Sequence, residues 1–198
     1  MKRAFVVVLL FAFGLAIHAW SSRSVRHPPG ILAPDEPKQI QVESSRTWEK
    51  KAYRISNLAT FHMKSRVLHT ERYWLDREAD LSPIDLAVGW GPMSDQRIVD
   101  EISFGQSFRW YHWRYARAPS IPDGEIGSHS ANMHMIPADK NAEKLLKTVR
   151  VGDVIEVNGY LVRVEAKDGW RWESSLSRTD SGPHSCELVW VERISIGE

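Results

Sequence analysis

Cysteine, net charge and long apolar runs are all scarce in this chain, and each shortage excludes a class of protein. The 198 residues contain one cysteine, Cys186. No disulfide can therefore form within the chain, which excludes a small secreted scaffold that depends on disulfides. The 26 Lys and Arg residues nearly balance the 25 Asp and Glu residues. Because this balance gives no basic surface for a phosphate backbone, we predict no nucleic-acid partner.

The one long apolar run lies at the N-terminus, where residues 4–17 contain no polar side chain. Two basic residues precede the run and Trp20 follows it, as in a helix anchored at a membrane interface by an aromatic ring. As a helix, residues 4–20 would extend roughly 25 Å, close to the ~30 Å of the hydrocarbon core. We therefore predict an uncleaved membrane anchor. A cleaved signal peptide is one alternative, because Gly14 and Ala16 have the small side chains of a cleavage site, and a buried core helix is the other.

The predicted location follows from this segment. Lys2 and Arg3 precede the run and Arg23 and Arg26 follow it, so the positive-inside rule does not decide the orientation. A long polar region behind a short basic N-terminus is typical of an exported domain. We predict a single-pass protein of the cell inner membrane, with the membrane as one partner and the C-terminal domain in the periplasm.

We predict three regions along the chain. Residues 1–20 are the anchor or signal segment. Residues 21–50 are a Pro-rich and polar tether, because residues 21–37 hold four of the ten prolines. Residues 51–198 are long enough to form one domain with a hydrophobic core, and we predict a single α+β globular domain there.

Local patterns in this domain predict short helices followed by a C-terminal sheet. Ser82 and Pro83 are residue types that begin helices, and Asp139 or Asn141 is the predicted cap of a later helix. The Asn-Gly pair at 158–159 is typical of a type I′ hairpin turn. Together with further short strands, this hairpin predicts a C-terminal antiparallel sheet or a small β-barrel of SH3-like or OB-like type.

Four segments of the chain have distinctive sequences. They are residues 81–95 (LSPIDLAVGWGPMSD), 109–113 (RWYHW), 129–138 (HSANMHMIPA) and 169–187, which contains SSLSRTDSG. These segments are similar to those of an uncharacterised family of bacterial envelope proteins, which also begin with a hydrophobic segment. The resemblance covers most of residues 58–192. It implies a bacterial envelope location and brings with it no activity, cofactor or catalytic residue.

The chain contains residue types for covalent catalysis, although no motif joins them. Cys186 could act as a nucleophile with His129 or His134 as its base, and Asp153 or Asp180 could orient the histidine. The G-x-S-x-G spacing of a nucleophile elbow is absent from the sequence. A free cysteine at the start of an apolar strand is more often a small buried side chain than a nucleophile.

Two further possibilities concern a serine nucleophile and a metal site. Ser130 or Ser175 could replace the thiol as the nucleophile. His129 and His134 could bind one metal ion only from a loop or bulge, because positions five apart on a strand point to opposite faces. We therefore predict neither a metal site nor a cofactor.

The nine tryptophans are first expected to fill the core of a small domain. The alternative is an exposed aromatic platform for a glycan or a peptide. We predict a strand at residues 108–115, which would place Trp110 and His112 on one face, and a Gly-Trp-Gly-Pro turn that presents Trp90. Arg178 lies in a polar loop that could hold an anion. These four residues are the candidate ligand-binding residues.

The favoured function is non-catalytic. We predict a membrane-anchored, extracytoplasmic binding or assembly module of the bacterial envelope, whose partner is another envelope protein or a cell-wall glycan. The alternative is an envelope hydrolase that uses Cys186 or a serine as nucleophile and His129 or His134 as base.

Overall fold

Ten β-strands and three short α-helices form the part of the chain that the computed structural model describes, residues 23–177 and 185–197. The strands are β1 (Lys38–Gln41), β2 (Thr47–Lys50), β3 (Tyr53–Arg72), β4 (Ile84–Gly89), β5 (Ser103–Ser107), β6 (Trp110–Arg114), β7 (Ser130–Pro137), β8 (Val154–Ala166), β9 (Arg171–Glu173) and β10 (Glu187–Ile196). The helices are α1 (Gln96–Val99), α2 (Asp123–Ser128) and α3 (Lys140–Leu146), and 3₁₀ turns lie at Glu78–Asp80 and Gly91–Ser94.

The predicted α+β class is wrong, because the fold is mostly β, with 46% strand and 14% helix. The sheet is also not confined to the C-terminal part of the domain, since β1 to β4 belong to it. Within residues 23–177 and 185–197, no helix combines the length and the apolar character needed to cross a membrane. The predicted anchor, residues 1–20, lies outside the described residues.

Five of the strands close into a barrel. β3, β4, β7, β10 and β8 pair in that order, and β8 also pairs with β3. β7 and β10 are parallel, whereas the other neighbouring pairs are antiparallel. The helix α3 lies between β7 and β8 in the chain. A five-stranded Greek-key barrel with this connectivity is an OB-type barrel.

Alternate side chains of the barrel strands fill its interior. Leu86 and Val88 of β4 and Met133 and Met135 of β7 belong to one buried apolar cluster with residues of β3, β8 and β10. The residues between them point to the outer face, because successive side chains of a strand alternate. Every residue of β4 is nevertheless buried, so the outer face of this strand is covered as well.

This double burial explains why the helix predicted to start at Ser82 and Pro83 is wrong. Residues 84–89 form β4, which pairs with β3 on one side and β7 on the other. Ser82 does not cap a helix, since its hydroxyl donates to the Ile84 carbonyl oxygen at 3.2 Å. Of the two predicted caps of the later helix, Asp139 is the one whose side chain accepts from the backbone of α3.

The hairpin turn predicted at residues 158–159 is also wrong, because β8 runs without interruption through both residues. Gly159 is opposite Val191 in the pairing with β10. A Cβ atom at Gly159 would lie 1.8 Å from the carbonyl oxygen of Trp190. Glycine is therefore required here by the close approach of two strands, and not by a turn.

Two groups of residues cover the outside of the barrel. Residues 23–50, the described part of the predicted tether, contain β1 and β2, which pair with β3. Between β4 and β7, the hairpin of β5 and β6 and the helix α2 pack over the barrel through an outer apolar cluster. This cluster contains Leu68, Ala87, Met93, Ile102 and Ile126.

Candidate functional site

A row of polar side chains crosses three adjacent strands on the outer face of the barrel. Asp85 of β4 and His134 of β7 are direct partners in the antiparallel register, and both alternate with interior residues. Cys186 immediately precedes β10, whose first residue, Glu187, is opposite Met133 of β7. This register places Cys186 beside His134 and Asn132, the neighbouring outward-facing residues of β7.

His134 and Asp85 form a buried ion pair. The Nδ1 atom of His134 lies 2.9 Å from Oδ2 of Asp85, and the two side chains are 5% and 0% exposed. The atoms are close, but they are not aligned as a ring N–H hydrogen bond. Burial lowers the pKa of His134, but the Asp85 carboxylate and contact with Cys186 raise it to about 9. The imidazole is therefore charged at neutral pH.

Arg109 supplies a second cation to Asp85. Its Nη1 atom donates to Asp85 Oδ1 and its Nη2 atom to Asp76 Oδ1, both at 2.8 Å. The guanidinium group also lies 3.9 Å from the centre of the Tyr73 ring. Arg109 has a φ of 68° and its neighbour Phe108 a φ of 49°, so the left-handed turn between β5 and β6 directs this side chain to the barrel. The predicted strand at 108–115 is therefore shorter, beginning at Trp110.

Amide side chains connect the thiol to the hairpin. Nδ2 of Asn132 donates to the Arg109 carbonyl oxygen at 2.9 Å and lies 3.7 Å from Cys186 Sγ. Its Oδ1 accepts from Gln106 Nε2 at 2.5 Å. Because Asn132 bonds two residues of the hairpin, its side chain is fixed next to the sulfur. We call Asp85, Arg109, Asn132, His134 and Cys186 the outer-face cluster.

Aromatic rings lie over and around this cluster. The ring of Trp172 is 5.0 Å from that of His134, centre to centre, and 5.7 Å from the Arg109 guanidinium carbon. Phe108 and Trp110 are the chain neighbours of Arg109, and Trp74 follows Tyr73, whose hydroxyl accepts from the Arg109 backbone N–H at 3.0 Å. All three rings are open to solvent, namely Trp74 (79% exposed), Phe108 (90%) and Trp110 (47%). We call these three the aromatic rim.

The cluster occupies the part of the barrel where OB-type barrels bind ligands. These barrels use the outer face of their second and third strands, together with the loops between strands one and two and between strands four and five. Here the second and third barrel strands are β4 and β7. The first loop carries Tyr73, Trp74 and Asp76, and the segment between β8 and β10 carries Trp172 and Cys186.

The structure places Cys186 near one of its two predicted bases, His134, and not near the other, His129. The thiol lies near enough to His134 to help raise the pKa of the imidazole, and the parallel register of β10 and β7 sets Cys186 at the same end of the sheet as His134. His129 is in a different place, at the end of α2, where its Nδ1 atom lies 3.1 Å from Glu125 Oε2. Asp153 accepts from the Arg150 backbone at 2.8 Å and is not the residue that orients a histidine.

Other predicted residues are distributed over the fold. Ser130 donates its hydroxyl to the Ile126 carbonyl oxygen at 2.6 Å, and Ser175 is buried. Trp90 is 2% exposed and packs in the interior cluster, so its ring is not presented to solvent. His112 is on β6 opposite Gly105. The two remaining candidates, Arg178 and Asp180, lie outside the described residues.

The sequence did not indicate Asp85, Arg109, Asn132 or Trp172 as site residues. One available signal was the single carboxylate of Asp85 inside an otherwise apolar run. A second was the set of four distinctive segments. Each segment contains at least one residue of the outer-face cluster or contains Trp172, whose ring lies over the cluster. Among residues 23–177 and 185–197, no group of three or more His, Cys, Asp or Glu side chains could hold a metal ion.

The chain has no match among protein-family models, curated proteins or solved structures. The OB-type connectivity accordingly comes from the strand pairing alone. Functional information for this chain lies in the outer-face cluster and in the rings around it.

Proposed function

We propose that the protein is a glycan-binding module of the bacterial envelope, and that its binding face is the outer face of β4 and β7 with the aromatic rim. One observation carries this proposal: Trp74, Phe108 and Trp110 are exposed on the two segments that meet at Arg109, whose side chain bonds Asp85 on the ligand face of an OB-type barrel. Large exposed apolar side chains grouped at one place indicate an interaction site. Flat aromatic rings fit the apolar faces of pyranose sugars.

Local charge favours a neutral polymer over a phosphate-rich one. Arg109 is paired with Asp85 and Asp76, and Arg77, in the same loop as Trp74, is paired with Asp168 at 2.9 Å. These guanidinium groups are already neutralised by carboxylates, so they attract a phosphate backbone weakly. Sugar hydroxyl groups can donate to carboxylates and accept from guanidinium groups without breaking such pairs.

We propose an extracytoplasmic location for the same module. The support is the N-terminal apolar run of residues 4–17 behind two basic residues. Cell-wall glycan is the abundant sugar polymer of that compartment. A reporter enzyme that folds only in the periplasm, fused after residue 198, is expected to be active, and an inactive fusion would contradict the proposed location.

The binding test uses the full-length chain in detergent and isolated peptidoglycan. We expect the protein to sediment with the polymer, and the double variant Trp74→Ala, Phe108→Ala to bind at least about fivefold more weakly, since each ring contributes about 0.5–1.5 kcal/mol. Leu145→Ala is the matched control, because this exposed apolar residue lies on α3, away from the rim.

Two results would overturn the proposal. One is a wild-type protein that fails to sediment with peptidoglycan. The other is equal binding by the wild type and the rim variant. A third result would assign the same face to a protein partner instead. In that case the rim variant would lose an interaction with another envelope protein and would bind the glycan as the wild type does.

A further inference from the structure

We propose that Cys186 is a nucleophile, with His134 as its acid–base partner and Asp85 as the residue that positions His134, and that this triad transfers acyl groups from esters or amides. This goes beyond the proposed glycan binding, since a binding face needs no nucleophile. It is the thiol form of the triad arrangement that recurs on unrelated folds.

The order of burial in the triad fits this chemistry. Cys186 is partly exposed, whereas the side chains of His134 and Asp85 are 5% and 0% exposed. A nucleophile must meet its substrate, while its base and the positioning carboxylate act from behind it. Asp85 is held by Arg109 and by a 3.4 Å contact from the Ser82 hydroxyl, so it is a fixed counter-ion for the imidazole.

Stability alone does not account for the cluster. A buried ion pair often contributes no more than well-packed apolar residues of the same size. Moreover, Arg109 Nε is buried without a hydrogen-bond partner among the described residues. A buried polar atom that stays unsatisfied beside a charged pair is typical of a functional site.

Asn132 adds a neutral donor next to the sulfur. Its Nδ2 atom lies 3.7 Å from Cys186 Sγ, and its side chain is fixed by Gln106 and by the Arg109 backbone. In acyl transfer the carbonyl oxygen becomes negatively charged close to the nucleophile, and a fixed N–H donor there stabilises the transition state. We assign this role to Asn132.

The reaction balances without an added oxidant, reductant or metal. The sulfur attacks in its deprotonated form, beside the already protonated His134, and forms a C–S bond with the acyl carbon. The C–O or C–N bond then breaks, and His134 gives its proton to the leaving alcohol or amine. Water attacks the thioester and gives a proton to the now neutral His134, and the sulfur leaves without a proton, which restores the starting pair and releases a carboxylic acid.

The first test is alkylation of the native full-length protein in detergent by iodoacetamide at pH 6. Cys186 is the only cysteine of the chain, so the label reports on one site. We expect Cys186 to react at least tenfold faster in the native protein than in urea, because His134 and Asn132 lie beside the sulfur and assist its attack. We expect His134→Gln to remove this acceleration and His129→Gln to retain it.

The comparison of native with urea-unfolded wild type needs no variant, so it stands even if His134→Gln fails to fold. Asp85→Asn provides a second, nearly isosteric variant and is expected to lower the rate as well. A native rate equal to or below the unfolded rate would overturn the proposal. An accelerated rate that persists in folded His134→Gln would do the same.

The second test follows the acyl group by intact-protein mass spectrometry. With p-nitrophenyl acetate, we expect an acetyl adduct on Cys186 that disappears on standing, in the wild type and in His129→Gln. Cys186→Ser should carry none. An adduct elsewhere, or no adduct, would refute acyl transfer. The rim variant Trp74→Ala, Phe108→Ala should react normally with both small reagents, so failure of glycan binding and failure of the triad give different results.

Discussion

Stability should depend on pH through the buried pair of His134 and Asp85. The pKa of His134 stands at about 9, above the ordinary histidine value of 6.5. One pKa unit corresponds to about 1.4 kcal/mol, so the charged imidazole contributes about 3 kcal/mol to the folded state. Because the folded pKa is raised, this contribution is fully present below pH 6.5 and is lost as the pH rises through about 9.

Thermal unfolding of the full-length chain, followed by circular dichroism between pH 6 and 10, measures the effect. For a chain of this size, about 3 kcal/mol corresponds to a decrease in Tm of roughly 6–12 °C. Other groups titrate in this range, so the relevant quantity is the difference between the wild type and His134→Gln. The variant should be less stable than the wild type at pH 6 and should change less with pH.

An equal decrease of Tm with pH in the two proteins would refute the reasoning. It would mean that folding does not raise the pKa of His134. His129→Gln is the control histidine variant. Its imidazole lies 3.1 Å from Glu125 near the surface and outside the buried pair, so this variant controls for the loss of a histidine as such.

Two further predictions concern the strands and the hairpin. Gly159→Ala should destabilise the fold by more than about 2 kcal/mol, because its Cβ would meet the β10 backbone at 1.8 Å; Gly124→Ala, whose Cβ meets nothing within 4 Å, should have little effect in the same melting experiment. Arg109→Met should cost about 3 kcal/mol at neutral pH, because it removes one cation from the fully buried Asp85. An unchanged Tm in Arg109→Met would contradict the assigned role of this ion pair.

Local sequence signals failed where distant contacts decide the backbone. Ser82 and Pro83 have the chemistry of a helix start, but residues 84–89 form a central strand of the barrel because both of their faces are buried. The Asn-Gly pair at 158–159 has the chemistry of a tight turn. Its glycine is instead needed where β10 approaches β8. In each case the deciding neighbour is far away in the sequence.

The candidate site could be predicted in part. Cys186 and His134 were identifiable as a possible nucleophile and base from their residue types alone. Their contact depends on the parallel pairing of β7 with β10, which no local pattern encodes. The choice of Asp85 as the third residue depends on the antiparallel register of β4. Arg109 reaches the same carboxylate only through the left-handed turn of the β5–β6 hairpin.

Strand alternation separates the apolar interior of this barrel from its polar outer row. Leu86 lies in the interior cluster while its neighbour Asp85 faces outward, and Met133 and His134 divide in the same way. The apolar interior of the barrel therefore contains no member of the polar row. The insertion between β4 and β7 then covers that row and keeps water from its charges, which strengthens their interaction. A site built in this way can combine a rigid scaffold with a reactive, partly exposed thiol.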